Sequence, residues 1–323
     1  MAAKTIFNLF DMYKLLAPYD IGELRMYSPL ADGTVQTNYL VETTTGKYLL
    51  KYYESRSYEQ VQFEFLLMQH LLLNHFPCAP IIHSSLRTLC VYNEKPYVIY
   101  QFIEGVHVEH SNERQQISLI HTIADLARIT KSLKLKYAEN RLSYNKNSLA
   151  RLAGETTETK YTINGLKKKE WFLRELSALE LPTTLTMGIC HCDLSFKNIL
   201  YSGNKVKALL DFDDANETYL FFDIISIIHF FMPKFDHDTW NQYEKRDQIM
   251  DFGDAKKILS LFEQKCPIPL NDKIHFFDIL KLGILSDCIW YFDRGSYFDF
   301  FERRKIEAIN QIGRDAFFKQ LFG

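Results

Sequence analysis

The chain lacks any run of about 18 apolar residues able to cross a bilayer. The nearest approach, FFDIISIIHFFM, is short and carries Asp223 and His229. It also lacks a signal-peptide opening, because Lys, Asp and Asn interrupt the stretch MAAKTIFNLFDMYKLL. Charge of one sign is missing too: 38 Lys and Arg face 40 Asp and Glu, a formal net charge of −2. That balance provides no broad field to draw nucleic acid or an anionic membrane. Six cysteines are present, at 78, 90, 190, 192, 266 and 288, yet none has the two-residue gap of a zinc knuckle or redox pair. Cys190 and Cys192 enclose only His191, and both read as inert small residues. There is no internal repeat and no low-complexity linker. These absences leave a reduced, cytoplasmic globular protein as the expectation. Its 323 residues, 47% hydrophobic and 24% charged, are enough for one large domain or two lobes.

What is present begins with a strand-like region. LRMYSPL, TNYLVETT and KYLLKYYE are separated by Ala31-Asp32-Gly33-Thr34 and Thr44-Thr45-Gly46, both good turn material. SYEQVQFEFLLMQHLLLNHF then carries apolar residues at 61, 65, 68 and 72, a helical spacing that Pro77 and Pro80 end. Two further strand-like runs, LCVYN and PYVIYQFIEG, complete a small sheet with one main helix. After Gly105 the pattern turns helical at 115–137, polar and irregular at 138–169, helical again in KKKEWFLRELSAL, and nearly all helical from 220 onward. The expected architecture is α+β, with a β-rich lobe over 1–105 and a larger, mostly helical lobe over 106–323. A cleft between two lobes is a usual place for a ligand.

One span concentrates the chemistry. GICHCDLSFKNILYSGNKVKALLDFDDA packs His191, Asp193, Asn198, Asp211, Asp213 and Asp214 around a strand–turn–strand pattern, NILY, SGN and KVKALL. Carboxylates at the ends of apolar strands are costly unless a cation compensates them. With the turn near Asn204, Asn198 falls opposite Asp211 or within two residues of it. Strands about 4.8 Å apart let an amide oxygen and a carboxylate converge. Such an oxygen site suits Mg²⁺, which takes one or two carboxylates and completes its shell with water and phosphate. Asp213 shares that side if the backbone stays extended. It is open to three readings: a second metal contact, a contact to a substrate amine, or a turn stabiliser. Asp193, five residues before Asn198, is placed to accept the proton of an attacking hydroxyl. His191 reads as a histidine that fixes the loop by hydrogen bonds, and Lys197 as solvated.

The first lobe supplies the complementary cation. Lys51 sits mid-strand in YLLKYYE between apolar and aromatic flanks, where it needs a partner. Glu64, on the helix between Val61 and Phe65, is the partner expected. A strand lysine paired to a helix glutamate, together with H-x-D-x-x-x-x-N and D-F, is the logic of phosphoryl transfer from ATP. In the tail, Asp287, Trp290, Tyr291 and Asp293 are candidates for an acidic-aromatic pocket taking a cationic substrate, set against an ordinary aromatic core.

These residues resemble the protein-kinase-like superfamily, in particular its aminoglycoside phosphotransferase branch of small-molecule kinases. HCDLSFKN, LLDFDDA and FFDII are similar to that branch's H-G-D-x-x-x-x-N, I-D-F-[DE]-D-A and D-[LI]-A. The resemblance implies a two-lobed kinase-like fold with ATP and Mg²⁺ as cofactors. It implies that Asp193 is catalytic, that Asn198 and Asp211 hold the metal, and that Asp223 supports the site. Lys51, Glu64 and the hinge Gln101, Phe102 and Ile103 then serve the nucleotide. LAPYDIGELRMYSPLADGTVQTNYLVETTTGKYLL is similar to the start of the homoserine kinases of this branch, which share L-x-x-Y-x-[IL]-G and G-[ST]-x-x-[ST]-N. That turn has a single glycine, so phosphate contacts would rest on Gly33, Thr34 and Asn38. Homoserine is the acceptor implied, with an aminoglycoside or a choline-type amino alcohol as the alternative. A protein kinase fits less well: no A-P-E segment follows, and Phe212 precedes Asp213 where protein kinases carry glycine. A nucleotide-binding pseudoenzyme is the rival from another class.

Overall fold

A computed structural model describes residues 4–30, 35–86, 89–159, 165–230, 251–294 and 301–323. In chain order the first elements are α1 (Leu9–Leu16), β1 (Leu24–Pro29), β2 (Thr37–Thr43), β3 (Lys47–Tyr52) and α2 (Tyr58–Leu73). There follow β4 (Ile81–Ile82), β5 (Cys90–Tyr92), β6 (Lys95–Gln101), α3 (Glu113–Thr130), α4 (Lys146–Thr159) and α5 (Gly165–Ser177). Next come β7 (Met187–Cys190), β8 (Ile199–Ser202), β9 (Lys205–Leu209), β10 (Asn216–Tyr219) and α6 (Phe222–Phe230). The chain ends with α7 (Phe252–Glu263), α8 (Leu270–Ile274), α9 (Phe276–Arg294), α10 (Phe301–Ile312) and α11 (Arg314–Phe322).

Two compact units form. The first comprises residues 1–115, 134–141 and 195–215; the second comprises 116–133, 142–194 and 216–323. In the first, an antiparallel sheet runs β1-β2-β3-β6-β4, with β5 also on β6. Period-two alternation sorts its residues. Tyr39, Val41, Tyr48, Leu50, Tyr52, Tyr97 and Ile99 join Met12, Leu15 and Leu16 of α1 in one core. Lys51, between Leu50 and Tyr52, therefore points away from α1 and reaches Glu64 of α2. Both helices begin in capping boxes, Asn8 with Asp11 and Ser57 with Gln60.

The hairpin β8–β9 belongs to this first unit for visible reasons. Val106 and Tyr201 exchange backbone hydrogen bonds of 3.0 and 2.9 Å, and Leu209 N–H donates to Pro77 O at 2.9 Å. His107 Nδ1 donates to the carbonyls of Phe196 and Ile199. A Cβ on Gly105 would come within 3.1 Å of Leu200 Cβ, so the close approach of this segment requires glycine.

In the second unit, α9 is apolar nearly all round, with Phe276, Ile279, Leu280, Leu282, Ile284, Leu285 and Cys288 fully buried. It packs against α4, α5, α6, α10 and α11. Its buried charges are paired: Asp278 with Arg314 at 2.7 Å and Lys281 with Glu175 at 3.3 Å. No helix among the described residues is long and apolar enough to cross a membrane.

The structure differs from the sequence reading in places. The stretch 138–169 is not all irregular, since α4 and the start of α5 lie in it. The sequence of α4, KNSLARLAGETTET, is polar enough to hide the narrow Leu149 and Ala153 stripe that it buries. The helix α1 and the antiparallel pair β7–β10 also escaped the pattern.

Candidate active site

The first half of the site is a buried ion cluster in the first unit. Lys51 Nζ lies 3.2 Å from Glu64 Oε1 and 2.8 Å from Asp211 Oδ1. Burial opposes the charge on Lys51, but Asp211, Glu64 and Asp213 outweigh it and hold its pKa well above the ordinary lysine value. Burial raises the carboxyl pKa of Glu64 while Lys51 pulls it down. Tyr100 donates to Glu64 Oε1 at 3.2 Å, and Lys51 Nζ sits 4.8 Å from the centre of the Tyr53 ring. Asp211 remains half-exposed, with 48% of its side chain accessible, although Lys51 is buried.

The hairpin sets this geometry. Ile199 pairs with Leu209, and Leu210 N–H donates to Asn198 O at 2.8 Å. Asn198 thus stands one register step from Asp211, close to the sequence expectation. Asn198 itself closes a short 3-10 turn over Phe196–Asn198 rather than opening β8. The condition set for Asp213 is not met. Asp211 adopts a left-handed conformation (φ 61°, ψ 70°), and a 3-10 turn over Phe212–Asp214 follows. That turn sends Asp213 to Arg56 and Gln36, with Arg56 Nε 3.0 Å from Oδ1, and Gln36 Nε2 2.9 Å and Arg56 Nη2 3.2 Å from Oδ2. Burial pushes against the charge on Asp213, yet the Lys51 and Arg56 cations and the bonds from Arg56 and Gln36 hold its pKa down at about 2.

The second half lies in the second unit. Asp223, at the start of α6, accepts from the backbone N–H groups of His191 (2.7 Å) and Cys192 (3.0 Å). Burial pushes its carboxyl pKa up, against the His191 ring and these two N–H donors. His191 is fully buried, and its Nδ1 accepts from Asp193 N–H at 3.3 Å. Cys192 adopts φ 66°, a conformation that favours glycine. Asp193 follows, with an exposed side chain.

Other expected residues fall as follows. Gln101 N–H is taken by Pro80 O and Phe102 N–H by Lys47 O, while Ile103 comes directly after these bonds on a half-exposed stretch. Asn38 pairs across the sheet with Lys51, and its Oδ1 is buried without a hydrogen-bond partner. Gly33 and Thr34 lie outside the described residues, as do the side chains of Trp290, Tyr291 and Asp293. Asp287 is exposed on α9. Sequence reasoning missed Arg56, Gln36 and Arg141. They sit in irregular segments, where no periodic signal announces a partner more than 70 residues away.

Among the described residues, no group of three or more His, Cys, Asp or Glu is placed to hold a metal. A pair such as Asn198 and Asp211, both hard oxygen donors, fits the Mg²⁺ habit of binding one or two carboxylates plus phosphate. A half-exposed carboxylate beside a buried lysine also fits a metal-bound polyphosphate, because the lysine supplies the second positive contact.

Three comparisons bear on this arrangement. The profile of a phosphotransferase enzyme family matches residues 27–255. A homoserine kinase of Nitrobacter winogradskyi is 28% identical over 241 residues, 73% of each chain. One of Sinorhizobium fredii is 30% identical over 234 residues, 69% of each. Among solved structures, an amicoumacin kinase in complex with AMP-PNP, Ca²⁺ and its antibiotic superposes with a TM-score of 0.68 at 16% identity, over 94% of both chains. A choline kinase of Streptococcus pneumoniae gives 0.60 at 14% identity, over 93% of this chain and 98% of its own. The fold is therefore kinase-like.

Proposed function

The chain belongs to the phosphotransferase enzyme family, and on that premise we propose that it moves the γ-phosphoryl group of Mg·ATP to the hydroxyl of a small molecule, homoserine first among candidates. The observation that carries the phosphotransfer is Lys51 held between buried Glu64 and half-exposed Asp211. Lys51, oriented by Glu64, contacts the nucleotide phosphates. Asn198 and Asp211 hold Mg²⁺, which neutralises phosphate charge when bound. Ile103, with its neighbours Gln101 and Phe102, meets the adenine, and Gly33, Thr34 and Asn38 line the phosphate turn. Asp193 orients the acceptor hydroxyl and takes its proton, while His191 and Asp223 fix the backbone that presents it. The lobe over 1–105 serves the nucleotide and the remainder serves the acceptor.

Homoserine is favoured because the sequence relatives that span most of the chain are homoserine kinases, and because the L-x-x-Y-x-[IL]-G and G-[ST]-x-x-[ST]-N patterns are both present. Asp287, Trp290, Tyr291 and Asp293 remain the candidate contacts to the acceptor's ammonium group. None of the six cysteines is in a disulfide, which suits a cytoplasmic enzyme working on ATP and a small metabolite. The test is Mg·ATP consumption by purified protein against L-homoserine, L-threonine, L-serine, choline and several aminoglycosides. Saturable turnover with homoserine alone is expected. Turnover with choline or an aminoglycoside instead would keep the mechanism and discard the acceptor.

A further inference from the structure

The turn that carries Asp211 is held by more cationic and amide donors than its own fold requires. Arg56 presents a forked pair of bonds to Asp213, and its Nη2 also reaches Asp214 Oδ1 at 2.7 Å. Arg141 grips the backbone of the same turn. It donates to Asp213 O and Ala215 O and also to Gln60 O in the first turn of α2. Its guanidinium lies 5.5 Å from the centre of the Phe63 ring. Gln36 Nε2 donates to Asp213 Oδ2 while its Oε1 accepts from Glu54 N–H at 2.8 Å.

These contacts share one layout. Arg56 immediately precedes Ser57, the N-cap of α2, and the same helix carries Glu64 to Lys51. Gln36 closes the turn expected to meet phosphate and leads into β2, where Asn38 lies across from Lys51. Asp213 is thereby tied both to the start of α2 and to the edge of the phosphate turn. Its side chain is only 10% exposed and both its oxygens are occupied. A metal ion or a substrate ammonium could reach it only by displacing Arg56 or Gln36. Meanwhile Asp211 holds a left-handed backbone that non-glycine residues keep only where the surroundings over-determine it.

We propose that Arg56 and Gln36, acting through Asp213, are positioning residues that keep the Asp211 carboxylate in register with Lys51 for the metal-bound nucleotide. The proposal rests on the phosphotransferase reading. It takes Asp213 away from direct metal or substrate contact and assigns it to geometry. Loss of Arg56 releases the turn, so Asp211 still exists but spends less time where Mg²⁺ and Lys51 both meet it. The signature is a defect that depends on the metal.

The experiment measures binding of AMP-PNP to the full chain, with and without Mg²⁺, for wild type, Arg56→Ala, Asp213→Ala and the double variant, alongside kcat and both KM values. Each single change is expected to weaken Mg·AMP-PNP binding about tenfold and to lower kcat similarly. Metal-free AMP-PNP binding and acceptor KM should stay within about twofold, and the double variant should be no worse than the poorer single one, because the residues act as a unit. Arg56→Lys, which keeps the charge and loses the fork, should recover part of the loss. Should an alanine variant melt below the assay temperature, Arg56→Lys and Gln36→Ala carry the same comparison. Equal weakening with and without Mg²⁺, additive losses, or a change confined to acceptor KM would overturn the proposal. So would an Asp213→Ala defect far deeper than that of Arg56→Ala. Wild-type protein that binds no Mg·AMP-PNP would remove the phosphotransferase reading itself, whereas wild-type binding with unaltered variants removes this proposal alone.

Discussion

The two aspartate-bearing turns of this molecule are held by opposite means. Asp211 is fixed by cations: Lys51 grips its carboxylate, and Arg56 and Arg141 cage the residues just after it. The Asp193 loop is fixed by an anion, because the buried Asp223 carboxylate accepts from two consecutive backbone N–H groups next to it. Both turns also contain a non-glycine residue at positive φ, Asp211 at 61° and Cys192 at 66°. A carboxylate destined for a metal and a polyphosphate benefits from cationic neighbours that keep it ionised. One destined to take a proton is better presented by a rigid backbone with its own side chain exposed. The contrast predicts that the two aspartates fail differently.

The largest expected effects come from removing each in turn. Asp193→Asn should lower kcat by roughly a thousandfold or more while Mg·ATP binding stays within about threefold, as expected of a group used in the transition state. Asp211→Asn should instead weaken Mg·ATP binding and leave metal-free nucleotide binding nearly intact. Single-turnover rates and calorimetric titrations on both variants separate these outcomes. If the Asp193 variant turned over normally, another residue would be the base.

Much of this arrangement was legible in the sequence, and the legible parts share a cause. Lys51 declared itself because a charge amid YLLKYYE must find a partner, and Glu64 lay on the buried face of the next helix. The hairpin was readable from two apolar runs around Ser202-Gly203-Asn204. Arg56, Gln36 and Arg141 were not readable. Arg56 and Asp213 stand 157 residues apart, each in a non-periodic segment, so only the folded chain pairs them. The polar helix α4 was hidden for a related reason: it buries a stripe of small and single apolar residues, and propensity alone did not raise it above the surrounding loop.

Next in size is the buried pair. Lys51→Met removes a cation and leaves Glu64, which is 2% exposed, with an uncompensated charge. Stability should fall by about 3–5 kcal/mol, and the double variant Lys51→Met/Glu64→Leu should regain much of it. Urea unfolding of the three proteins measures this. A double variant as unstable as Lys51→Met alone would mean that Tyr100 and Tyr53, not the charge, dominate the site.

Acid should act with opposite sign on the two kinds of anchor. Glu54, beside Gln36 in the cation-held region, is held down at about 2 from about 4.5, because the bonds from Lys95, Thr37 and Thr5 outweigh the effect of burial. A lowered carboxyl pKa stabilises the fold above the ordinary value, and that stability is lost as pH falls from about 4.5 towards 2. Allowing for solvent screening, the contribution is about 1–2 kcal/mol. Asp223, whose pKa is raised by burial, contributes the other way, favouring the fold below the ordinary carboxyl value and losing that advantage as pH rises through its own. Glu54→Gln should therefore flatten the fall in urea midpoint across the acid range, and Asp223→Asn should not. A Glu54→Gln profile as steep as wild type would place the acid sensitivity elsewhere.

The smallest effect tests the feature that the two turns share. Cys192 occupies the position where the H-G-D pattern has glycine, and its φ of 66° costs an L-residue roughly 1 kcal/mol. Its side chain returns only weak contacts: Asn216 Nδ2 donates to Sγ at 3.6 Å, and Sγ donates to Cys190 O at 3.5 Å. Cys192→Gly removes both contacts and the conformational cost, while Asp223 keeps its two backbone donors, which do not depend on the side chain. The net expectation is a rise in melting temperature of about 2 °C. Asp211→Gly relieves the same kind of backbone conformation but deletes the carboxylate paired with Lys51, so its melting temperature should fall. A lower melting temperature for Cys192→Gly would show that the sulfur contacts help hold the Asp193 loop, and that backbone bonds to Asp223 are not its sole anchor.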